Sequence, residues 1–322
     1  MWRVCGRGSR GRPAHGRRVR LRNAVILSFA AFAVGALAPA ASATFPGRTG
    51  IVVFAARAAG DPKVLYRINP PRRKIRLLIP VGAGEDRAPS WSADGTTLAF
   101  ASERAGQLDI WSVQPGSGTG PVNLTGTANE RELLPTWSPD DRIAFVTLHG
   151  IGDANTTIDV MDADGANRIT IRSPGKPIFG IEWSPLGTRI AYAVPDGSAT
   201  DIYSIRPDGT GRVRLANDLP RATLYDWRPD GRRILFQGAT DIGYGLYEIA
   251  VGGDHRQYLL TGPASPAKDE HASYSPNGAK IVFARDLGPR DELWLMGSDG
   301  SNERRLRRID PLRAYGMAWQ PR

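Results

Sequence analysis

The sequence has almost no cysteine: the only one among its 322 residues is Cys5. Cys5 lies before the apolar segment Ala24–Ala38, whereas the lipid-bearing cysteine of a bacterial lipoprotein follows such a segment. The rest of the chain can therefore form no disulfide and carry out no thiol chemistry.

Acidic residues are absent from residues 1–43, which contain eight arginines. The whole chain has 42 lysines and arginines against 32 aspartates and glutamates, a formal charge of +10. Without those eight arginines the balance is 34 against 32, which is +2. The positive charge belongs to the N-terminal segment, so we expect neither a basic groove nor a nucleic acid partner in the remainder.

Residues 1–43 have the order of a secretion signal. A positive stretch is followed by the apolar Ala24–Ala38 and then by the small-residue cleavage site Ala41–Ala43. The apolar run has 15 residues, whereas a membrane-spanning helix needs about 20; an uncleaved anchor is the alternative interpretation. Arg17–Arg22 loosely matches a twin-arginine motif, with Arg20 where an apolar residue is expected, so the sequence leaves the export route open. We expect an exported protein of the periplasm, the cell envelope or the extracellular space.

An aromatic motif occurs six times in the remaining chain and reads Trp-Ser-Pro-Asp-Gly or a variant of it. Its first residues are Trp91, Trp137, Trp183, Trp227, Tyr274 and Trp319. The steps between them are 46, 46, 44, 47 and 45 residues. A period in the forties with strand-like segments inside it is typical of a four-stranded propeller blade.

Each repeat has the same physical pattern. Ser-Pro-Asp-Gly favours a type I turn, and a short apolar strand such as Leu98–Phe100 follows it. A third strand carries a second aromatic residue, as at Trp111, although Asp159 takes that position in the third blade. A second turn follows, as at Asp164-Gly165, which we interpret as a hairpin rather than a calcium loop. We expect the periodic tryptophans to fill the core between blades.

The repeat count predicts an all-β, six-bladed β-propeller of four-stranded antiparallel blades over residues 44–322. Gly50–Phe54 and Val64–Ile68 read as the second and third strands of a first blade that has no motif before it. Tyr315–Trp319 at the other end supplies the missing innermost strand. The C-terminal strand therefore closes the ring by joining the first blade, which leaves no open edge.

This repeat resembles that of TolB-like β-propellers. The resemblance rests on the Trp-Ser-Pro-Asp-Gly motif, an Ile-Ala-Phe-type strand, and elements such as Asp109–Trp111 and Asp201–Tyr203. It covers residues 50–322 and implies the fold and a role in the cell envelope. Members of that family carry an α/β domain ahead of the propeller, whereas here the predicted signal runs straight into the first blade.

Catalytic patterns are missing from the sequence. It has no Gly-x-Ser-x-Gly nucleophile elbow and no phosphate-binding glycine loop. His149, His255 and His271 lie in different repeats, and none has metal-ligand spacing with another. We expect no metal, no cofactor and no catalytic residues.

The loops that lead into the innermost strands offer the candidate binding residues. In repeat propellers these loops gather on one face around the central channel. They contain Glu85, Asp86, Arg87, Glu130, Arg131, Glu132, Phe179, Arg221, Tyr225, Asp269, Glu270, His271, Arg313 and Tyr315. Mixed charges with a few aromatic residues suit a protein or peptide partner, and ordinary solvated loops are the alternative.

We therefore predict a monomeric, non-enzymatic propeller that binds an envelope protein or peptide through its channel face. The alternatives are a propeller enzyme, a lyase or hydrolase acting on an envelope saccharide or peptide, and an accessory propeller that works with a separate catalytic protein. The step from the fold to a biological role is made by analogy.

Overall fold

The repeated motif forms the predicted turn. The computed structural model describes residues 44–150, 155–240, 243–252, 257–262, 267–288 and 290–322, so the predicted signal and His255 lie outside the described residues. The amide of Gly95 donates to the carbonyl of Ser92 at 2.9 Å, and that of Gly278 donates to Ser275 at 2.7 Å. These i to i+3 hydrogen bonds are the ones that the turn requires.

Within the described ranges the chain forms 24 β-strands and no helix. The first blade begins with β1 (Thr49–Arg57), β2 (Val64–Ile68) and β3 (Ile75–Leu77). The second has β4 (Asp86–Trp91), β5 (Leu98–Ser102), β6 (Asp109–Val113) and β7 (Val122–Asn123). The third has β8 (Glu130–Trp137), β9 (Arg142–His149), β10 (Thr156–Asp162) and β11 (Ile169–Arg172).

The second half of the chain repeats this order. The fourth blade has β12 (Ile181–Trp183), β13 (Ile190–Asp196), β14 (Ala199–Ile205) and β15 (Val213–Pro220). The fifth has β16 (Thr223–Trp227), β17 (Arg233–Thr240), β18 (Gly243–Ala250) and β19 (Gln257–Leu259). The sixth has β20 (Lys268–Tyr274), β21 (Lys280–Asp286), β22 (Asp291–Gly297) and β23 (Arg304–Arg308), and β24 (Arg313–Pro321) follows it.

These strands build six antiparallel sheets of four strands around a common axis, which confirms the predicted fold class. The fifth and sixth sheets are joined into one by a single parallel bridge between Tyr244 and Lys268. The innermost strands β4, β8, β12, β16, β20 and β24 each contact the next, and β24 contacts β4. They therefore form a closed ring.

The two ends of the propeller share the first blade, as predicted. β24 pairs antiparallel with β1, with Val52 opposite Trp319 and Phe54 opposite Met317. Outside the strands, Arg48 and Arg322 exchange two backbone hydrogen bonds of 2.6 and 2.9 Å. The inner edge of β1 is thereby covered by the last strand of the chain.

The motif tryptophans are core residues. Trp91, Trp137, Trp183, Trp227 and Trp319 are at most 3% exposed. Each packs in a hydrophobic cluster that draws residues from more than one blade. Their periodic placement follows from this structural role and does not form a sugar-binding surface.

A polar residue precedes the motif aromatic in five of the six blades and links neighbouring blades. The residues at this position are Ser90, Thr136, Glu182, Asp226, Ser273 and Ala318, and all six are fully buried. The amide of Trp183 donates to the Thr136 hydroxyl at 3.0 Å, and that of Tyr274 donates to Asp226 Oδ2 at 2.7 Å. Trp137 donates to Ser90 at 3.3 Å in the same way. We name these six residues the inner ring.

Ring closure can be tested at the turn of the second blade. Gly95 and Gly278 occupy the same motif position with the same φ of +67°, but a Cβ on Gly95 would lie 1.9 Å from the Pro321 carbonyl oxygen. The nearest atom to a Cβ on Gly278 is 3.8 Å away. Gly278→Ala should therefore lose about 1 kcal/mol of unfolding free energy through its backbone conformation alone. Gly95→Ala should lose about 2–4 kcal/mol because it also pushes β24 away.

Urea unfolding of both variants measures this difference. Equal losses for the two variants would mean that the C-terminal strand does not pack against the second blade.

Candidate functional site

The predicted partner-binding residues lie where the innermost strands begin, at the end of the channel away from the motif turns. We name this end the channel mouth. The structure brings three of the predicted residues into one aromatic row across the fifth, sixth and first blades. The rings of Tyr225 and His271 are 5.9 Å apart, and those of His271 and Tyr315 are 6.0 Å apart. Tyr225 is buried, and Tyr315 at the other end of the row is half-buried.

His271 occupies the middle of this row because of a β-bulge. Its φ is +54°, and the pairing of β20 with β21 shifts register between Glu270 and Ser273. Ala88 and Leu134 have the same left-handed backbone three residues before their own motif aromatics. A bulge redirects the neighbouring side chains, so this irregularity shapes the mouth in several blades.

The imidazole of His271 is neutral in the folded protein. Burial lowers its pKa to about 3, and the residue is 6% exposed. Its Nδ1 has no hydrogen-bond partner among the described residues. A buried polar atom without a partner is unusual and marks a position where a bound group could be accepted.

Tyr315 is surrounded by charged side chains of both signs. The Arg57 guanidinium and the Lys63 ammonium lie over its ring at 5.5 and 4.8 Å from the centroid. Glu85 accepts from Lys63 at 2.6 Å and from Arg87 at 2.5 Å, and Arg87 also pairs with Glu103 at 2.9 Å. Only Glu85, Arg87 and Tyr315 of this cluster were predicted.

Arg57 was missed because it ends a second strand, and Lys63 and Glu103 were missed because they belong to loops between the second and third strands. Those loops end on the same face as the loops that lead into the inner strands. A charged residue at the end of a second strand or in the loop that follows it is the signal that would have found them.

Glu270 lies beside the row and titrates unusually. Burial raises its pKa to about 7, with a further contribution from Asp286, while Lys268 and Arg313 oppose the rise. Its Oε1 is 3.5 Å from His271 Nε2. Arg313 pairs with Asp286 at 3.3 Å and with Asp291 at 3.1 Å.

Four predicted residues lie apart from the row. Glu130 pairs with His149 Nδ1 and with Arg168, both at 2.9 Å. Arg131 is exposed next to it. Arg221 is exposed and donates to the Tyr244 hydroxyl at 2.9 Å, and Phe179 packs half-buried against the core of the fourth and fifth blades.

Three predicted acids do not reach the surface. Asp86, Glu132 and Asp269 are at most 2% exposed. They pair with arginines of their own blades, Arg104 at 2.6 Å, Arg168 at 3.0 Å and Arg285 at 2.6 Å. The reason is their position, since each is among the first three residues of an innermost strand and its side chain turns into the sheet. These carboxylates fix the mouth from behind and do not contact solvent.

A basic cleft lies at the opposite end of the first blade. The cleft has a volume of about 280 Å³, and its basic lining is Arg67, Arg72, Lys74, Arg76 and Arg322. No salt bridge joins any of the five to a carboxylate of the described residues. The balanced charge of residues 44–322 gave no sign of this cleft, because a total does not report how charges are distributed.

The part of the chain that the structure describes contains no candidate metal site. No group of three histidine, cysteine, aspartate or glutamate side chains there could hold a metal ion. No helix of those residues is long and apolar enough to cross a bilayer.

Comparisons with known proteins agree with the fold. The family model of the TolB beta propeller domain matches residues 140–310. The Tol-Pal system protein TolB of Bordetella pertussis is 30% identical over 162 residues, which are 50% of this chain and 36% of that protein. The chain thus matches about a third of the length of this curated relative.

Solved structures share the fold at lower identity. The crystal structure of TolB from Acinetobacter baumannii superposes with a TM-score of 0.72 at 19% identity, over 86% of this chain and 68% of that one. Oligogalacturonate lyase in complex with manganese superposes with a TM-score of 0.59 at 13% identity, over 85% of this chain and 79% of that one. At these identities the likeness concerns the fold alone, which serves binding proteins and enzymes alike.

The pKa of Glu270 predicts a dependence of stability on pH. Its folded-state pKa of about 7 lies above the usual 4.5, so the folded state takes up this proton first as the pH falls. Glu270 therefore destabilises the protein above pH 7 and ceases to do so below about pH 4.5. Glu270→Gln should raise the unfolding free energy by about 1–3 kcal/mol at pH 8, and this gain should vanish towards pH 4.5.

Glu85→Gln is the matched control with the opposite sign. Burial raises the pKa of Glu85, but Lys63, Arg87 and Arg57 together outweigh it and hold the net pKa below the usual value. Glu85 therefore stabilises the protein above its usual pKa, and Glu85→Gln should lower the unfolding free energy at pH 8. Urea unfolding between pH 4.5 and 8 measures the unfolding free energy of both variants. An effect of Glu270→Gln that does not change with pH would contradict the raised pKa of Glu270.

Proposed function

Because the chain belongs to the TolB beta propeller domain family, we propose that it is an exported, non-enzymatic scaffold that binds a protein or peptide of the cell envelope at the channel mouth. The observation that carries this proposal is the row Tyr225, His271 and Tyr315 with charges of both signs beside it. Such a surface offers a partner aromatic area and charged groups at fixed positions.

Tyr315 is the proposed anchor. It is half-buried, so part of its ring is available to a partner, and Arg57 and Lys63 hold its position. Aromatic residues of this kind contribute most to many interfaces because they lose little side-chain entropy on binding. The proposed role of Glu85, Arg87, Glu130 and Arg131 is to orient the partner.

A partner could also satisfy His271. Its Nδ1 is buried without a partner in the described structure and its ring is neutral. A neutral imidazole nitrogen either accepts or donates one hydrogen bond, depending on the tautomer. A peptide amide or hydroxyl group that reaches this nitrogen would form a hydrogen bond that is shielded from water.

The envelope location rests on analogy and on the predicted signal. The relative from Bordetella pertussis carries the name of the Tol-Pal system. The match covers only part of that relative, so membership in such a system is part of the proposal for this chain. We propose that the mature chain is monomeric, since a closed ring of blades leaves no sheet edge that requires a second copy.

The alternative is an enzyme with its site at the same mouth. The specific observation in its favour is Glu270, whose pKa of about 7 suits proton transfer, next to His271. A lyase or hydrolase acting on an envelope saccharide or peptide would use these two groups. Turnover of such substrates that is lost in Glu270→Gln would replace the scaffold proposal with this one.

Affinity capture with two matched variants tests the scaffold proposal. The tagged full chain is produced in its exporting host and captured from envelope extract. We expect a discrete protein or peptide to be recovered. The variant Glu85→Gln, Arg87→Gln, Glu130→Gln, Arg131→Gln should recover at least about tenfold less of it, because charge pairs at an interface orient a partner.

The control variant neutralises the basic cleft instead. It carries Arg67→Gln, Arg72→Gln, Lys74→Gln and Arg76→Gln and should capture the partner as the unchanged chain does. Loss of capture only in this control variant would move the binding face to the basic cleft and contradict the proposal.

A further inference from the structure

Thr44 lies inside the propeller and contacts the inner ring. It is 1% exposed. Its backbone nitrogen is 3.0 Å from Asp226 Oδ1, and its hydroxyl donates to Asp226 Oδ2 at 2.7 Å. The hydroxyl also lies 3.3 Å from the Ser273 hydroxyl and 3.1 Å from the Tyr274 carbonyl oxygen.

The residues after Thr44 run along the side of the propeller that carries the motif turns. Phe45 is 2% exposed and packs in the hydrophobic cluster that contains Trp137 and Trp183. Gly47 donates its amide to Pro276 at 3.2 Å, and Arg48 then joins the C-terminal residue Arg322. Residues 44–48 thus contact the fifth and sixth blades, the cluster that contains Trp137 and Trp183, and the C-terminal residue Arg322.

Asp226 is a buried carboxylate with no positively charged partner among the described residues. It is fully buried, and its hydrogen bonds come from Thr44, Ser273 and Tyr274. Burial raises its pKa to about 8, which these hydrogen bonds reduce only in part. Hydrogen bonds are the main influences that oppose the rise in its pKa, and no salt bridge joins Asp226 to a lysine or arginine of the described residues.

The surroundings of Asp226 are themselves acidic. Glu182 is the neighbouring inner-ring residue and accepts from the Thr136 hydroxyl at 3.1 Å. Glu248 lies on the other side, but Arg233 and Arg228 pair with it at 2.8 and 3.7 Å, so Glu182 is the acid that leaves the surroundings negative. The carboxylates of Glu182 and Asp226 would therefore stabilise a positive charge placed next to Asp226.

The sequence predicts the source of that charge. The predicted cleavage site Ala41–Ala43 ends immediately before Thr44. Hydrolysis of the Ala43–Thr44 peptide bond adds one water: the hydroxyl goes to the Ala43 carbonyl carbon, which leaves as a carboxylate, and the freed nitrogen of Thr44 becomes an ammonium. A signal peptidase is the class of enzyme that would catalyse this step, and it must act before folding buries Thr44.

We propose that the Ala43–Thr44 bond is the processing site and that the new α-ammonium of Thr44 forms a buried ion pair with Asp226, which locks the N-terminus of the mature chain into the inner ring. The inference rests on the export in the proposed function and is independent of partner binding. Processing then completes the fold as well as removing the signal, because the Thr44 nitrogen, which already lies 3.0 Å from Asp226 Oδ1, gains its positive charge only on cleavage.

The first test is the N-terminus of the exported protein. The full-length chain is expressed in an exporting host, and the purified product is examined by N-terminal sequencing and intact mass. We expect the chain to begin at Thr44. A chain that begins elsewhere, or that keeps residues 1–43, overturns the proposal; the second of these results favours the uncleaved anchor and leaves the proposed partner binding untouched.

The second test is a double-mutant cycle. One alanine inserted between Ala43 and Thr44 moves the amine away by one residue and leaves an ordinary amide at Thr44. In otherwise unchanged protein this insertion should lower the Tm by roughly 5 °C, since it removes one partner of a buried ion pair. In the Asp226→Asn background the same insertion should have little effect, because the charge that the amine neutralises is gone.

Asp201→Asn is the matched control background. Asp201 is also a buried acid, but it contacts Tyr203 and Arg214 rather than Thr44. There the insertion should again lower the Tm by roughly 5 °C. Equal effects of the insertion in the Asp226→Asn and Asp201→Asn backgrounds would overturn the ion pair, even if the chain begins at Thr44.

Amine reactivity gives a readout that does not depend on stability. In the folded, processed chain the α-amine should react with an acylating reagent at neutral pH at least about tenfold more slowly than in urea, because it is buried and paired. Asp226→Asn should restore part of that reactivity without unfolding. An amine that reacts equally fast in folded and unfolded protein would contradict its placement in the ring.

Discussion

The inner edge of each innermost strand is the constraint on which the rest of this structure depends. A strand at the centre of a propeller has a partner on one side only, so its other edge presents unpaired amides to a narrow channel. Buried amides need acceptors. The inner ring supplies acceptors across the gap between blades, as Thr136 does for Trp183 and Asp226 does for Tyr274.

These hydrogen bonds fix the position of one blade relative to the next in three places, at Ser90, Thr136 and Asp226. The amide that is bonded belongs to the motif aromatic, whose side chain fills the space between the same two blades. Polar and apolar contacts therefore act on one residue, and the turn that follows is fixed as well. The aromatic row of the channel mouth shares this rigidity, because Tyr225, His271 and Tyr315 lie on innermost strands rather than on loops.

The sequence predicted the fold well because the repeat combines several independent signals. Spacing gave the number of blades, the Ser-Pro-Asp-Gly turns gave the strand order, and the missing first motif together with Trp319 gave ring closure. The channel mouth was predicted only in part. A loop sequence does not reveal which way a side chain turns, so Asp86, Glu132 and Asp269 were expected at the surface although their arginine partners hold them inside. The inner ring was missed because the position before the motif aromatic holds Ser, Thr, Glu or Asp in different blades. These residue types can all accept a hydrogen bond, but they do not form a repeated sequence motif.

The unfolding free energy of Thr136→Val tests most directly whether the inner ring holds the blades together. Valine has nearly the shape of threonine but cannot accept the Trp183 amide. We expect one cooperative urea transition and a loss of about 1–3 kcal/mol, because a buried amide and the Glu182 carboxylate both lose a partner. An unchanged unfolding free energy would show that the blades are held by apolar packing alone and would contradict the account.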